Sequence, residues 1–111
     1  MANTLKNVIQ NDIGTTLTSV YTVPSSTTTI LIGLTLANTL ANQQIDVSVS
    51  VTDTSAGVTS YIIKNAAVAP GGALVPVGGD QKIILEATDV LKVQSSAATS
   101  LDVIASVVEQ S

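Results

Sequence analysis

Residues 45–51 alternate strictly between apolar and polar side chains, and this pattern constrains the fold more than any other feature of the sequence. The apolar positions are Ile45, Val47, Val49 and Val51, and the polar positions between them are Asp46, Ser48 and Ser50. Side chains of a β-strand point to opposite faces with a period of two residues. The alternation therefore predicts a strand with one buried face and one solvated face.

Segments of similar character recur along the chain, separated by turns rich in Gly, Pro, Asn, Asp and Ser. They cover residues 17–23, 28–36, 58–64, 73–77, 82–86, 90–94 and 101–108. No segment shows the apolar spacing of an amphipathic helix of useful length. Short strands with turn signals at intervals of about eight to twelve residues are typical of an all-β sandwich or barrel. We predict a single β-sandwich of about eight strands that is jelly-roll-like, with an immunoglobulin-like sandwich as the alternative.

Some positions make this prediction more specific. One face of the strand at residues 28–36 is predicted to carry Ile30, Ile32, Leu34 and Leu36. Gly33 falls on the opposite face, where a glycine inside a strand indicates a bulge or a close backbone approach. Pro76 lies inside another predicted strand and has no N–H to donate to a ladder, which indicates an edge strand.

The first residues of the chain differ from the rest. Residues 1–12 are polar with isolated apolar positions at Leu5, Val8 and Ile9. We expect this segment to form an N-terminal arm or an edge strand, and residues 13–111 to form the sandwich domain.

The composition favours contact with other proteins. Only 11% of the residues are charged, whereas about a quarter is usual. The polar surface therefore consists mostly of Ser, Thr, Asn and Gln, which are cheaper to desolvate than Lys or Glu. The formal net charge of −4, with four Lys and no Arg, gives no cluster of cations for nucleic acid or for an anionic membrane.

The same composition argues against catalysis. The chain has no His and no Cys, so the usual nucleophilic triads, thiolate metal sites and disulfides cannot be built. We expect no enzymatic activity, no transition metal and no cofactor. Asp80 and Asp89 lie in predicted turns and are weak candidates for calcium ligands. Asp also favours turns for its own hydrogen-bonding reasons, and we prefer this explanation.

Adjacent apolar residues in several strands suggest that part of an outer face is covered. The residues next to a position already assigned to the core are Ile63, Ile84, Ile104 and Val108. We predict that these residues contribute to an interface with a second copy of the chain. The alternative is that these strands bend at bulges or lie at the edges of the sandwich. A small domain without disulfides or metals commonly gains stability by oligomerising.

Several stretches of the chain resemble small all-β virion structural proteins of tailed bacteriophages, of the marine and cyanobacterial phage type. The resemblance covers residues 17–109 and is carried by residues 21–24 (YTVP), 32–38 (IGLTLAN), 79–93 (GDQKIILEATDVLKV) and 101–109 (LDVIASVVE). The chain departs from that group at Thr88, where the group often has Gly before the Asp of a hairpin turn.

The resemblance implies a virion component. Residues 1–6 show no signal-peptide pattern, so we expect the protein to be made in the host cytoplasm. Within that class we expect a small capsid-associated or decoration (cement) protein that works with other virion proteins. The alternatives are a neck, tail or fibre component, or a carbohydrate- or receptor-binding module at a fibre tip. Analogy with phage fibres and decoration proteins favours a homotrimer.

Overall fold

In the computed structural model, which describes residues 2–111, the chain folds into nine β-strands. The strands are β1 (Asn3–Ile13), β2 (Thr18–Thr22), β3 (Thr28–Asn38), β4 (Ile45–Asp53), β5 (Val58–Val68), β6 (Ala73–Val77), β7 (Ile83–Leu85), β8 (Val90–Ser95) and β9 (Leu101–Gln110). Every segment that the sequence predicted to be a strand overlaps one of them. Residues 2–111 contain no helix with the length and apolarity needed to cross a membrane.

The strands form two antiparallel sheets that pack face to face. One sheet has the order β1-β9-β3-β6, with β7 also paired to β3, and the other has the order β2-β8-β4-β5. The prediction of a single β-sandwich is confirmed. Successive strands from β1 to β4 do not pair with each other, and the first strand pairs with the last, so the arrangement is jelly-roll-like. An immunoglobulin-like sandwich would instead place its first two strands side by side in one sheet.

The core between the sheets is almost entirely aliphatic. The fully buried large side chains are Leu31, Leu34, Leu36, Ile45, Leu85, Leu91, Leu101, Val23, Val47, Val49, Val77 and Val93. The inward positions of β4 are those predicted from the alternation, although Val51 is only half-buried because it lies near the open end of the sandwich. Tyr21 is the one aromatic side chain of the chain that lies in this core.

The inward face of β3 differs from the prediction. The structure buries Leu31, Leu34 and Leu36, whereas Ile30 and Ile32 are half-exposed. The pairing of β3 with β9 shifts register between Leu31 and Gly33, as the glycine indicated. An extra residue at a bulge reverses the alternation of side chains. The predicted face was therefore correct after the bulge and wrong before it.

The edge strands of the sheets include the N-terminal segment and the strand that contains Pro76, which the sequence indicated as possible edges. β1 forms the edge of the five-stranded sheet and pairs with β9. β6, which contains Pro76, lies at the opposite edge and pairs with β3 alone among the described strands. β5 extends beyond its predicted end to Val68, and Asn65 within it adopts a positive φ of 53°.

Two buried polar clusters connect distant parts of the sandwich. Asn38, at the end of β3, donates its amide hydrogens to the carbonyl oxygens of Gln43 at 2.8 Å and Val68 at 3.1 Å. Its side-chain oxygen accepts from the N–H of Leu40 at 2.9 Å. A buried amide with this many partners fixes the loop between β3 and β4 against the end of β5.

The second cluster is centred on Tyr21. Its hydroxyl donates to Oε2 of Glu109 at 2.5 Å and lies 2.8 Å from Oγ1 of the fully buried Thr29. Burial and then the hydrogen bond with Glu109 raise the pKa of Tyr21 from 10.0 to about 12. Nζ of Lys6 lies 3.9 Å from the same carboxylate, so the cluster also ties β1 to β9.

Candidate interaction surface

The outer faces of the two sheets differ in chemistry. On the four-stranded sheet, the outward positions of the central strands β4 and β8 are Ser48, Ser50, Thr52, Lys92 and Gln94, with Val90 as the apolar exception. Thr52 also bonds to Thr59 on β5, with 2.9 Å between the hydroxyl oxygens. This face is therefore predominantly polar.

The five-stranded sheet instead carries an apolar row across its outer face. Leu5 of β1 is the register partner of Val108, Val108 is the partner of Ile30, and Ile30 is the partner of Ile84. Leu5 is 79% exposed and Ile84 is 60% exposed, while the two middle residues are half-buried by their neighbours. Residues paired in register have Cβ atoms about 5 Å apart, so these side chains form one continuous surface. We call these residues the apolar row.

A shorter apolar pair lies beside the apolar row. Ile9 of β1 is the register partner of Ile104, and both are more than half exposed. Between this pair and the apolar row, Asn7 faces Ser106, which faces Gly33. Ser106 has a small side chain and Gly33 has none, and a shallow depression lies there, lined by residues that include Asn7, Ile32 and Ser106.

The structure distributes the four predicted interface residues unevenly. Ile84 and Val108 lie in the apolar row, and Ile104 lies in the neighbouring pair on the same outer face. Ile63 lies on β5 in the other sheet, where it is half-buried and packs partly against the core. Ile63 therefore does not share a surface with the other three residues.

Sequence reasoning did not assign Leu5, Ile9 or Ile30 to this surface. Leu5 and Ile9 were visible only as isolated apolar residues in a polar segment. Ile30 was assigned to the core because the alternation of side chains was counted without a break through the bulge between Leu31 and Gly33. A spacing of four residues between Leu5 and Ile9 does put both on one face of a strand, and this is the signal that could have been used.

The apolar row ends at an open cleft between the sheets. The cleft has a volume of about 650 Å³, and its lining includes Val51, Val58 and Ile84. Three carboxylates lie beside it, those of Asp53, Glu86 and Asp89, with oxygen atoms within 4.8 Å of one another.

Turn chemistry accounts for two of these carboxylates. Asp53 accepts hydrogen bonds from the Ser55 hydroxyl at 2.9 Å and from the Ala56 N–H at 3.2 Å, and these bonds lower its pKa. Oδ2 of the buried Asp89 accepts from the N–H of Glu86 at 3.0 Å. The carboxylates thus hold the β4–β5 and β7–β8 turns.

The structure separates the two acids named as weak calcium candidates. Asp80 is exposed in the turn between β6 and β7 and does not belong to the group formed by Asp53, Glu86 and Asp89. A calcium ion takes about six to eight oxygen ligands, and the assignment of Asp80 and Asp89 as calcium ligands stays a prediction.

The two tyrosines offer little for recognition of a sugar ring. Tyr21 is buried in the core, so its ring is not accessible. Tyr61 is exposed on β5, but Nζ of Lys64 lies 5.0 Å from the centre of its ring. A lysine at this distance makes a cation–π contact on the face that a sugar would need.

Comparison with known proteins gives only distant structural likenesses. A pentameric capsid protein from metagenomic phage sequences is 22% identical, with a TM-score of 0.44, over 94% of this chain and 60% of that one. A structure of infectious bursal disease virus, Gt strain, is 8% identical, with a TM-score of 0.45, over 96% of this chain and 32% of that one. The VP2 subviral particle of the same virus is 9% identical, with a TM-score of 0.37, over 96% of this chain and 41% of that one.

No protein-family model and no curated protein matches the chain. The chain spans less than two thirds of the length of the capsid proteins named above. At these identities and TM-scores the likenesses carry no argument about function.

Proposed function

We propose that this protein is a non-enzymatic structural component of a virion, and within that class a small capsid-associated or decoration protein. The observation that carries the structural role is the apolar row on the outer face of the five-stranded sheet. The assignment to a virion is supported by the resemblance of residues 17–109 to small phage virion proteins.

The apolar row is a surface suited to contact with protein. Full burial of an aliphatic side chain contributes about 1.5–3 kcal/mol, and Leu5 and Ile84 are exposed for most of their area. Contiguous exposed apolar patches on soluble proteins commonly mark interaction sites. The outer face of the four-stranded sheet is predominantly polar. The apolar row is therefore a property of one face and not of the whole surface of the protein.

The charge near the apolar row is also suited to a protein partner. Lys6 is the only charged residue of β1 before its bulge, and its ammonium group is directed to Glu109. A low charge density disfavours nucleic acid and favours close packing against another protein. We infer that the protein forms a homo-oligomer through this sheet, and the order expected from the phage resemblance is a trimer.

A charge placed in the apolar row tests the interface. We expect Leu5→Asp to dissociate the oligomer while the protein remains folded, since Leu5 is 79% exposed. Ala67→Asp is the matched control, because it adds the same charge at an exposed position of the other sheet. Sedimentation velocity at micromolar concentration gives the mass, and far-UV circular dichroism confirms folding. A wild-type protein that stays monomeric would contradict the homo-oligomer.

Association with virus particles tests the virion assignment. We expect mass spectrometry of purified particles from the phage that encodes this chain to detect the protein in many copies with the capsid. Recovery only in the tail or fibre fraction would favour the alternative structural locations. Saturable binding of the isolated protein to host-cell glycans would instead favour the carbohydrate-binding module.

A further inference from the structure

β1 is the least protected outer strand of the two sheets. Natural sheets protect their edges with short strands, proline, bulges or charged side chains, especially Lys. β1 has one such residue before its bulge, Lys6, whose ammonium group lies 3.9 Å from the Glu109 carboxylate. β6 has five residues and contains Pro76, and β2 has five residues and a register shift between Ser19 and Tyr21. The register of β5 against β4 shifts on both sides of Val49. β1 keeps an unbroken register with β9 from Asn3 to Gln10, so its outer edge is regular over this length.

The direction of the β1 amide groups follows from the end of the ladder. Ala2 and Ser111 exchange both backbone hydrogen bonds, at 3.1 and 3.0 Å. Hydrogen-bonded and non-hydrogen-bonded pairs alternate along an antiparallel ladder, so the even-numbered residues of β1 bond to β9. The residues whose N–H and C=O groups point away from the sheet are Asn3, Leu5, Asn7 and Ile9.

We propose that β1 pairs antiparallel with β1 of a second copy of this chain, about a two-fold axis at Asn7. In this register Leu5 lies opposite Ile9 of the second copy, and the outward amide groups of Leu5, Asn7 and Ile9 meet those of the partner. The two five-stranded sheets join into one continuous sheet. This inference rests on the proposed homo-oligomer and specifies its contact. A two-fold contact closes on two copies, so it makes the oligomer a dimer instead of the trimer that the phage resemblance implies.

The side chains of the outer face support this register over its neighbours. With the axis at Asn7, the apolar row continues from Leu5 into Ile9 and Ile104 of the second copy, and the reverse contact is identical by symmetry. Moving the axis to Lys6 would place two like charges side by side and set Leu5 against Asn7. Moving it to Ile9 would shift the pairing into the bulge between Gln10 and Ile13.

The contact has the dimensions of a weak to standard protein interface. The regular part of β1 is about 27 Å long at a rise of 3.4 Å per residue. The shortest dimension of the molecule is 22 Å, which limits the height of the flank formed by β1 and β2. The projected area is therefore at most about 600 Å², against roughly 800 Å² per partner in a standard interface.

Substitutions at the axis provide the first test. The N–H of Asn7 does not bond to β9, so Asn7→Pro removes a donor from the contact and none from the fold. We expect wild-type protein to sediment at twice the monomer mass of 11.2 kDa and Asn7→Pro to sediment as a folded monomer.

A gentler substitution covers the case in which Asn7→Pro does not fold. Asn7→Asp is isosteric and places two carboxylates opposite each other at the axis. We expect it to weaken dimerisation about fivefold at low salt, because like charges directly opposite each other repel. Asn42→Asp adds the same charge at an exposed loop position and should leave dimerisation unchanged.

Amide hydrogen exchange provides a test that needs no substitution. We expect the N–H groups of Leu5, Asn7 and Ile9 to become protected as the protein concentration rises through the dimerisation range. The N–H groups of Lys6 and Val8 bond to β9 and should be protected at every concentration.

The outcomes separate this contact from the proposed function. A homo-oligomer in which the Leu5, Asn7 and Ile9 amides exchange freely, or a trimer unaffected by Asn7→Pro, would overturn pairing through β1 and leave the homo-oligomer standing. A monomer at all concentrations would overturn both. Detection in virus particles tests the virion role independently of either result.

Discussion

Removing one hydroxyl group from the core should show how strongly the Tyr21 cluster holds the sandwich together. Tyr21→Phe deletes the group that donates to Glu109 at 2.5 Å and lies 2.8 Å from the buried Thr29 hydroxyl. A hydrogen bond to a charged group contributes about 1.5–3 kcal/mol, and leaving a buried hydroxyl without a partner costs about 1–3 kcal/mol. Glu109 keeps Lys6 and some solvent, so the two effects do not add fully.

We expect Tyr21→Phe to lower the free energy of unfolding by about 3 kcal/mol. For a domain of this size that corresponds to a decrease in Tm of about 12 °C. Urea denaturation followed by far-UV circular dichroism measures the change, at one fixed protein concentration because oligomerisation contributes to stability. Tyr61→Phe is the matched control, since that side chain is exposed and should change the stability by less than about 0.5 kcal/mol.

A second substitution tests the mechanism rather than the size of the effect. Thr29→Val removes the hydroxyl that Tyr21→Phe leaves without a partner. The double variant should therefore regain about 1 kcal/mol relative to Tyr21→Phe alone. The reasoning would be refuted if Tyr21→Phe and Tyr61→Phe changed stability equally, or if Thr29→Val destabilised both backgrounds by the same amount.

Three further effects should be measurable in the same unfolding assay. The pKa of Tyr21 is raised in the folded state from 10.0 to about 12, so the contribution of its neutral hydroxyl to the free energy of unfolding is complete below pH 10. That contribution is lost as the pH rises to 12, and Tyr21→Phe should lack this part of the decline in stability. Thr88 adopts a positive φ of 70°, which is unfavourable for a β-branched residue. Thr88→Gly should therefore stabilise the protein by about 0.5–1 kcal/mol, and the absence of any gain would show that this turn is not strained. Asn38→Ala should cost about 2–3 kcal/mol because it leaves buried carbonyl groups without a donor, whereas Asn42→Ala in the exposed part of the same loop should change little.

The strands could be predicted because each depends on a short stretch of sequence. The alternation around Val47 and Val49 determines which side chains face the core, and turn residues separate one strand from the next. The strand ends were less predictable. β5 continues through Asn65, which can adopt a positive φ more easily than most residues and so does not end the strand.

The interaction surface could be predicted only in part, because it depends on register between strands that are far apart in the sequence. Ile84 and Val108 were recognisable because each interrupts the alternation beside a core residue. Leu5 gains its significance only from lying opposite Val108, which is more than a hundred residues away. Composition and local pattern contain no information on that pairing.

The acidic cluster could not be predicted for the same reason, since its residues come from turns that are far apart in the sequence. Asp89 was recognised as a turn residue, but its approach to Asp53 depends on how the β4–β5 and β7–β8 turns meet at one end of the sandwich. Glu86 was not singled out, since the sequence placed it at the end of the predicted strand 82–86, whereas the observed strand ends at Leu85.

The position of β9 between β1 and β3 has a consequence for the order in which the protein can fold. During synthesis β1 and β3 leave the ribosome long before the strand that separates them, so neither can complete its ladder until β9 has emerged. Pairings between residues so distant in sequence form slowly, and unpaired strands are prone to aggregation while they wait. The edge of β1 becomes straight and fixed in register only when β9 is in place. The regular edge that β1 offers to a second copy therefore exists only in a chain that already contains β9.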